Sequence, residues 1–121
     1  MKHLKKGRKL GRVRNQRTAL FRTLLGSLIM KEKIKTTEAK AKEMKAKIDQ
    51  LINKAKIAKD ETKKIAIVRI LRTKLPLMAV KKLTSEFSDR FSKRNSGYTR
   101  IIKLDQRKSD AAKMAIIEFV D

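Results

Sequence analysis

From Met1 to Lys31 the chain carries ten Lys or Arg and not one Asp or Glu; the first acid is Glu32. Like charges this dense repel, and the stretch is disfavoured in any fixed place unless a polyanion lies beside it. The cations fall in two settings. Lys2, Lys5, Lys6, Arg8, Lys9, Arg12 and Arg14 stand among Gly7 and Gly11 with little apolar periodicity, which predicts an extended or irregular arm over residues 1–14. Arg17 and Arg22 sit within adjacent apolar pairs repeating every four residues: Leu20-Phe21, Leu24-Leu25, Leu28-Ile29. That step predicts an amphipathic helix, with Asn15 as its N-cap and Gly26 offering a close helix contact.

A chain of 121 residues makes one domain, or one domain plus a tail. The formal charge is +22, a repulsion that phosphate or another polyanion would relieve, yet 40% apolar content is too high for a disordered polycation. A small folded domain with a basic surface is expected. With no cysteine, disulfides, thiolate metal sites and cysteine nucleophiles are excluded together, as suits a reducing compartment. No apolar core follows the basic start, so no secretory signal is expected, and no apolar run approaches the ~20 residues of a membrane span.

The middle of the chain reads as helices. Lys33 to Thr37 is short and partly β-branched, which predicts a short strand; Thr36 or Thr37 then caps a helix with Glu38 in its first turn. Ala41, Met44, Ile48, Leu51, Ala55 and Ala58 alternate steps of three and four, the clearest helix in the chain. The stripe is too brief and too rich in alanine for a coiled coil, so it reads as a face turned to the core. Asp60 is expected to open a third helix with apolar positions at Ile65, Ala66, Val68, Ile70 and Leu71. Pro76 disfavours helix at Leu75 and suits the first turn of a fourth helix holding Leu77, Val80 and Leu83. Phe87 and Phe91 continue a helical face, and Ser92 to Gly97 is a polar loop. Tyr98–Leu104 and Met114–Val120 then have strand composition and predict an antiparallel hairpin around a long polar loop.

Catalytic constellations are missing. His3 is the only histidine and has no carboxylate or serine beside it, and four glycines form no phosphate-cradling motif. Acids interleave with the lysines of residues 40–64, which therefore read as a solvated face. The acid-free residues 1–22 do not, and they predict nucleic-acid contact. Arginine's planar fork suits phosphate and guanine edges, favouring Arg8, Arg12, Arg14, Arg17 and Arg22. Arg90, Lys93, Arg94 and Arg100 form a second cluster around Gly97, where backbone can approach a phosphate, and Tyr98, which either stacks on a base or packs in the hairpin. An extended arm suits the crevices of folded RNA, whereas zinc-finger and zipper patterns are absent.

The opening Met1-Lys2-His3-Leu4-Lys5-Lys6-Gly7-Arg8-Lys9-Leu10-Gly11-Arg12, then Arg17-Thr18-Ala19-Leu20-Phe21-Arg22, resembles the start of the bacterial large-subunit ribosomal protein numbered seventeen. Gly26-Ser27-Leu28, Ile34-Lys35-Thr36-Thr37, Lys40-Ala41-Lys42-Glu43, Gly97-Tyr98-Thr99-Arg100-Ile101 and Ala115 to Asp121 match that family in the same order, over essentially the whole chain. The resemblance implies an α/β two-layer (α+β) fold. About four helices would pack on a small mixed sheet of one early strand plus the C-terminal hairpin, as a single domain over 15–121 behind the 1–14 arm. It also implies a cytoplasmic structural constituent of the large ribosomal subunit, bound to large-subunit ribosomal RNA and to neighbouring ribosomal proteins near the exit-tunnel side. No enzyme activity, cofactor, metal, membrane or small-molecule substrate is expected. The expected RNA contacts are Lys2, His3, Lys5, Lys6, Arg8, Lys9, Arg12, Arg14, Arg17, Arg22, Lys35, Arg94, Gly97, Tyr98 and Arg100. A rival reading is a DNA-compacting or protein-interaction module dimerising through the second helix.

Overall fold

The computed structural model describes Arg8 and residues 10–120. In chain order they form α1 (Arg14–Lys31), β1 (Lys33–Thr37), α2 (Glu38–Ile57), α3 (Lys64–Lys74), α4 (Leu77–Leu83), a 3-10 helix (Glu86–Phe91), β2 (Thr99–Lys103) and β3 (Met114–Phe119). The strands make one sheet in the order β1-β3-β2, antiparallel at both junctions. The expected two-layer α+β fold is present, but the sheet is wholly antiparallel rather than mixed. β1 pairs with the last strand and not with a parallel neighbour, so no crossover connection is required.

Sheet register fixes which side chains meet the helices. Ile34, Ile117 and Ile101 lie in line across the three strands, and α2 packs on that face. The alternate positions Lys33, Glu118 and Arg100 point the other way, with Lys33 and Arg100 both reaching the Glu118 carboxylate, at 3.9 and 2.8 Å. The core is built from Leu28 and Ile29 of α1, Met44, Ile48 and Ile52 of α2, Leu71, Leu75 and Leu83, and Ile117 of β3, all fully buried. Phe91 sits among Phe87, Tyr98 and Phe119, with ring centroids 5.4–5.6 Å away. Tilted and edge-on contacts of this kind stabilise beyond their buried area.

Helix boundaries follow hydrogen bonds more closely than residue types. α1 starts one residue before Asn15, with Val13 as N-cap, because the Arg17 amide already reaches the Val13 carbonyl at 3.0 Å. The Asn15 side chain accepts from the Gln16 amide inside the first turn instead. At the other end Glu32 takes a left-handed conformation (φ 65°) and closes the helix onto the Leu28 carbonyl. Thr37 caps α2 as expected, accepting from the Lys40 amide at 3.4 Å. Asp60 does not open α3; its carboxylate accepts from the Thr62 amide and hydroxyl, closing a turn, and the helix begins at Lys64. On α3 Leu71 is buried, whereas Ile65 and Ile70 face solvent. Leu75 is extended and Pro76 leads into α4. The Pro76 ring lies against Gly26: a Cβ there would meet Pro76 Cδ and Cγ at 2.8 and 2.9 Å, which is the close contact that Gly26 suggested.

Candidate nucleic-acid interface

Two consecutive left-handed residues, Leu10 and Gly11 (φ 55° and 65°), turn the chain just before α1. Leu10 packs on the edge of the core, and the Arg12 guanidinium donates to the Leu10 carbonyl at 2.7 Å, holding the turn. Beyond it Arg8 reaches the Glu43 carboxylate of α2 at 3.1 Å. The arm residues described here therefore run along α2 rather than away from the body. Lys2, His3, Lys5, Lys6 and Lys9 lie outside the described residues.

This path opens a groove of about 440 Å³ between α1, α2 and the end of α3. Arg17 and Arg22 of α1, Lys47 and Lys54 of α2, and Lys74 of α3 line it, with Phe21, Leu25 and Leu51 among its apolar residues. Lys47 and Lys54 share a face because seven residues complete nearly two helical turns. Their convergence with Arg17 and Arg22 depends on how α1 packs on α2, which spacing within either helix does not reveal. Lys47 is exposed and Lys54 half-exposed, so both stay solvated while bordering the groove. Their one available sequence signal is that they flank Leu51 at distances of four and three residues.

One carboxylate, Glu43, lines the groove and is paired there with Arg8, while the other ion-paired carboxylates lie away from it. Glu32 binds Arg90 and Lys82, Glu38 binds Lys42 at 3.0 Å and Lys103 at 3.7 Å, Asp89 binds Lys59 at 3.2 Å, and Asp110 binds Arg107. The Arg90 and Lys82 contacts hold the Glu32 carboxyl below its ordinary value, and the Lys42 contact does the same for Glu38. Among the described residues, Arg14, Arg17, Arg22, Lys47, Lys54 and Lys74 form no ion pair. Five of these, all but Arg14, line the groove and outnumber its one carboxylate, Glu43; such a concavity focuses positive potential, the electrostatic footprint of a polyanion site.

The second basic cluster lies on the opposite flank of α2. There Asp49 accepts from the Gly97 and Tyr98 amides at 3.2 and 3.3 Å, and Gly97 adopts φ 66°. Tyr98 is fully buried, donates to Asn53 Oδ1 at 2.5 Å and accepts from Lys56 Nζ at 2.7 Å. Two expectations change as a result. The Tyr98 ring is enclosed and cannot stack on a base, and the Gly97 amide already has an anion. Their role is to fix the loop that exposes Lys93 and Arg94. Arg100 is not beside that loop's tip; it lies on the open sheet face with Lys35, bonded to Glu118.

The geometry defines a small basic α+β structural protein with a cation-lined groove between α1, α2 and α3. The profile of the family described as Ribosomal protein L17 matches residues 20–120. Over all 121 residues the chain is 46% identical to the large ribosomal subunit protein bL17 of Thermodesulfovibrio yellowstonii, covering 88% of that protein. It is 43% identical over 121 residues to the bL17 protein of Pelobacter propionicus, covering 92% of it. The chain belongs to the ribosomal protein L17 family, whose members are structural components of the large ribosomal subunit and not enzymes.

Proposed function

We propose that the chain binds and stabilises folded large-subunit ribosomal RNA in the cytoplasmic ribosome. The 1–14 arm and the α1–α2 groove provide the main contact, and the loop of Lys93 and Arg94, with Arg100 and Lys35 on the open sheet face, provides the second. Neighbouring ribosomal proteins near the exit-tunnel side complete its surroundings. The observation that carries this reading is the convergence of Arg17, Arg22, Lys47, Lys54 and Lys74 on one groove in which Glu43, paired with Arg8, is the one carboxylate among the lining residues. The α2 stripe that a dimerising rival would use is spent in the chain's own core: Ala41, Met44, Ile48, Leu51 and Ala55 are all buried.

The deciding experiment is sedimentation of the tagged protein in high-salt sucrose gradients. Comigration with the large subunit, lost when residues 1–14 are deleted, is the expected result. Comigration that survives the deletion moves the binding energy to the folded body, and absence from ribosomal fractions rejects the reading. Isolated RNA binding should weaken steeply with salt, because about six to nine phosphate contacts each release counterions. An affinity indifferent to salt would count against it.

A further inference from the structure

The groove between α1 and α2 carries more than charge. A track for phosphates needs only an exposed cationic ridge, whereas here Phe21, Leu25 and Leu51 line a space of about 440 Å³ together with the cations. That volume lies within the range of small-ligand sites, ~300–1,000 Å³. Two planar guanidiniums are fixed at its wall: Arg17 donates to the Arg12 carbonyl at 2.6 Å and Arg22 to the Leu75 carbonyl at 3.4 Å. Each guanidinium has five donors, so further ones remain for a ligand. Lys47 Nζ stands 5.0 Å from the centroid of the Phe21 ring, so a cation borders the narrow apolar strip that the largely buried Phe21, Leu25 and Leu51 leave at the floor. Gln50 lines the same space, and its side-chain amide makes no hydrogen bond to another described residue.

We infer that this groove receives one unpaired nucleobase of the RNA, swung out of its helix. The base would lie against the apolar lining, its edge at Gln50 and its flanking phosphates on Arg17, Arg22 and Lys54. The inference rests on the RNA-binding reading above. Unstacked bases in bulges and loops are the parts of RNA that proteins read, by stacking on rings or guanidinium planes and by hydrogen bonds to the base edge. Double-stranded RNA offers only its shape, its 2′-hydroxyls and its phosphates, none of which uses an apolar floor. The Gln50 amide presents a donor beside an acceptor, the complement of an adenine edge, so adenosine is the base to test.

The probes are two short RNA duplexes of equal length, one fully paired and one carrying a single unpaired adenosine, each with 2-aminopurine at the neighbouring paired position as reporter. Both are titrated with the full chain. The bulged RNA should bind about tenfold tighter, within what stacking of one base provides, with a change in 2-aminopurine fluorescence on binding. Gln50 is exposed on α2, and Q50A should narrow that preference without shifting the urea midpoint of the protein. Equal affinity for the two RNAs, or a preference that Q50A leaves intact, overturns the inference and gives the groove to continuous backbone or to a protein neighbour. RNA binding as such would then stand, provided both duplexes bind with a steep salt dependence. Binding of neither duplex removes both readings.

Discussion

Tyr98 is held at both ends of its side chain and backbone: Asp49 takes its amide, Asn53 accepts from its hydroxyl, and Lys56 Nζ lies 4.5 Å from its ring centroid. Y98F keeps the ring and loses the hydroxyl, leaving Asn53 and Lys56 to find other partners. A cost of about 1 kcal/mol is expected, as for one ordinary hydrogen bond, read as a lower urea midpoint. A neutral Y98F would show that the hydroxyl contacts do not secure the loop. Charged pairs at the surface predict a pH response instead. The Arg107 fork binds Asp110 at 2.8 and 2.6 Å and holds its carboxyl down, from 3.8 to about 2. A group whose folded value is depressed contributes fully above its unfolded value and loses that contribution as pH falls through the folded one. For Asp110 the window runs from 3.8 down to about 2, and Glu32 adds loss beginning near its ordinary 4.5. NMR titration of the Asp110 carboxyl should give a midpoint near the lower value, and R107A should return it toward the upper; a midpoint unmoved by R107A would exclude the ion pair in solution.

At the scale of elements, Gly26 sets how closely α1 meets the α3–α4 junction. Alanine in a helix ordinarily stabilises relative to glycine by about 1 kcal/mol. Here its methyl group would sit 2.8 Å from a proline ring with little freedom to move, and overpacking costs about 1–3 kcal/mol. G26A should therefore destabilise despite its better propensity, and a raised melting temperature would contradict the contact. Much of the element order was legible because it rests on local chemistry: the three-four spacing of α2, the Thr37 cap, the single proline before α4. Asn15 and Asp60 misled for one shared reason. Their side chains bond an amide one or two residues ahead, so each serves a local turn rather than the helix start. The pairing of β1 with β3 joins segments about eighty residues apart, and nothing inside Lys33–Thr37 names its partner. The groove was half legible: the acid-free stretch marked Arg17 and Arg22, while Lys47, Lys54 and Lys74 join them only through packing.

The whole molecule carries +22 charges in 121 residues, so folding and binding respond to salt with opposite signs. Screening weakens repulsion within the protein, and the same screening weakens attraction to phosphate. Raising salt should therefore increase the urea midpoint of the isolated protein while decreasing its affinity for RNA, both measurable on one preparation. A midpoint that falls with salt would mean that the surface ion pairs outweigh the excess of cations. Both responses draw on the same excess: among the described residues, only Glu43 of the ion-paired acids lines the groove, against five cations there that form no ion pair.

The central strand of the sheet is also the last element among the described residues. Until Met114–Phe119 is made, β1 and β2 have no edge to pair with, and the Glu32 and Tyr98 carbonyls that close on the Phe119 and Val120 amides stay open. Synthesis is vectorial, at roughly 5–20 residues per second, so the cationic N-terminal segment emerges seconds before the body that holds it can close. During that interval it is a tethered polycation whose charge no closed body yet holds in place.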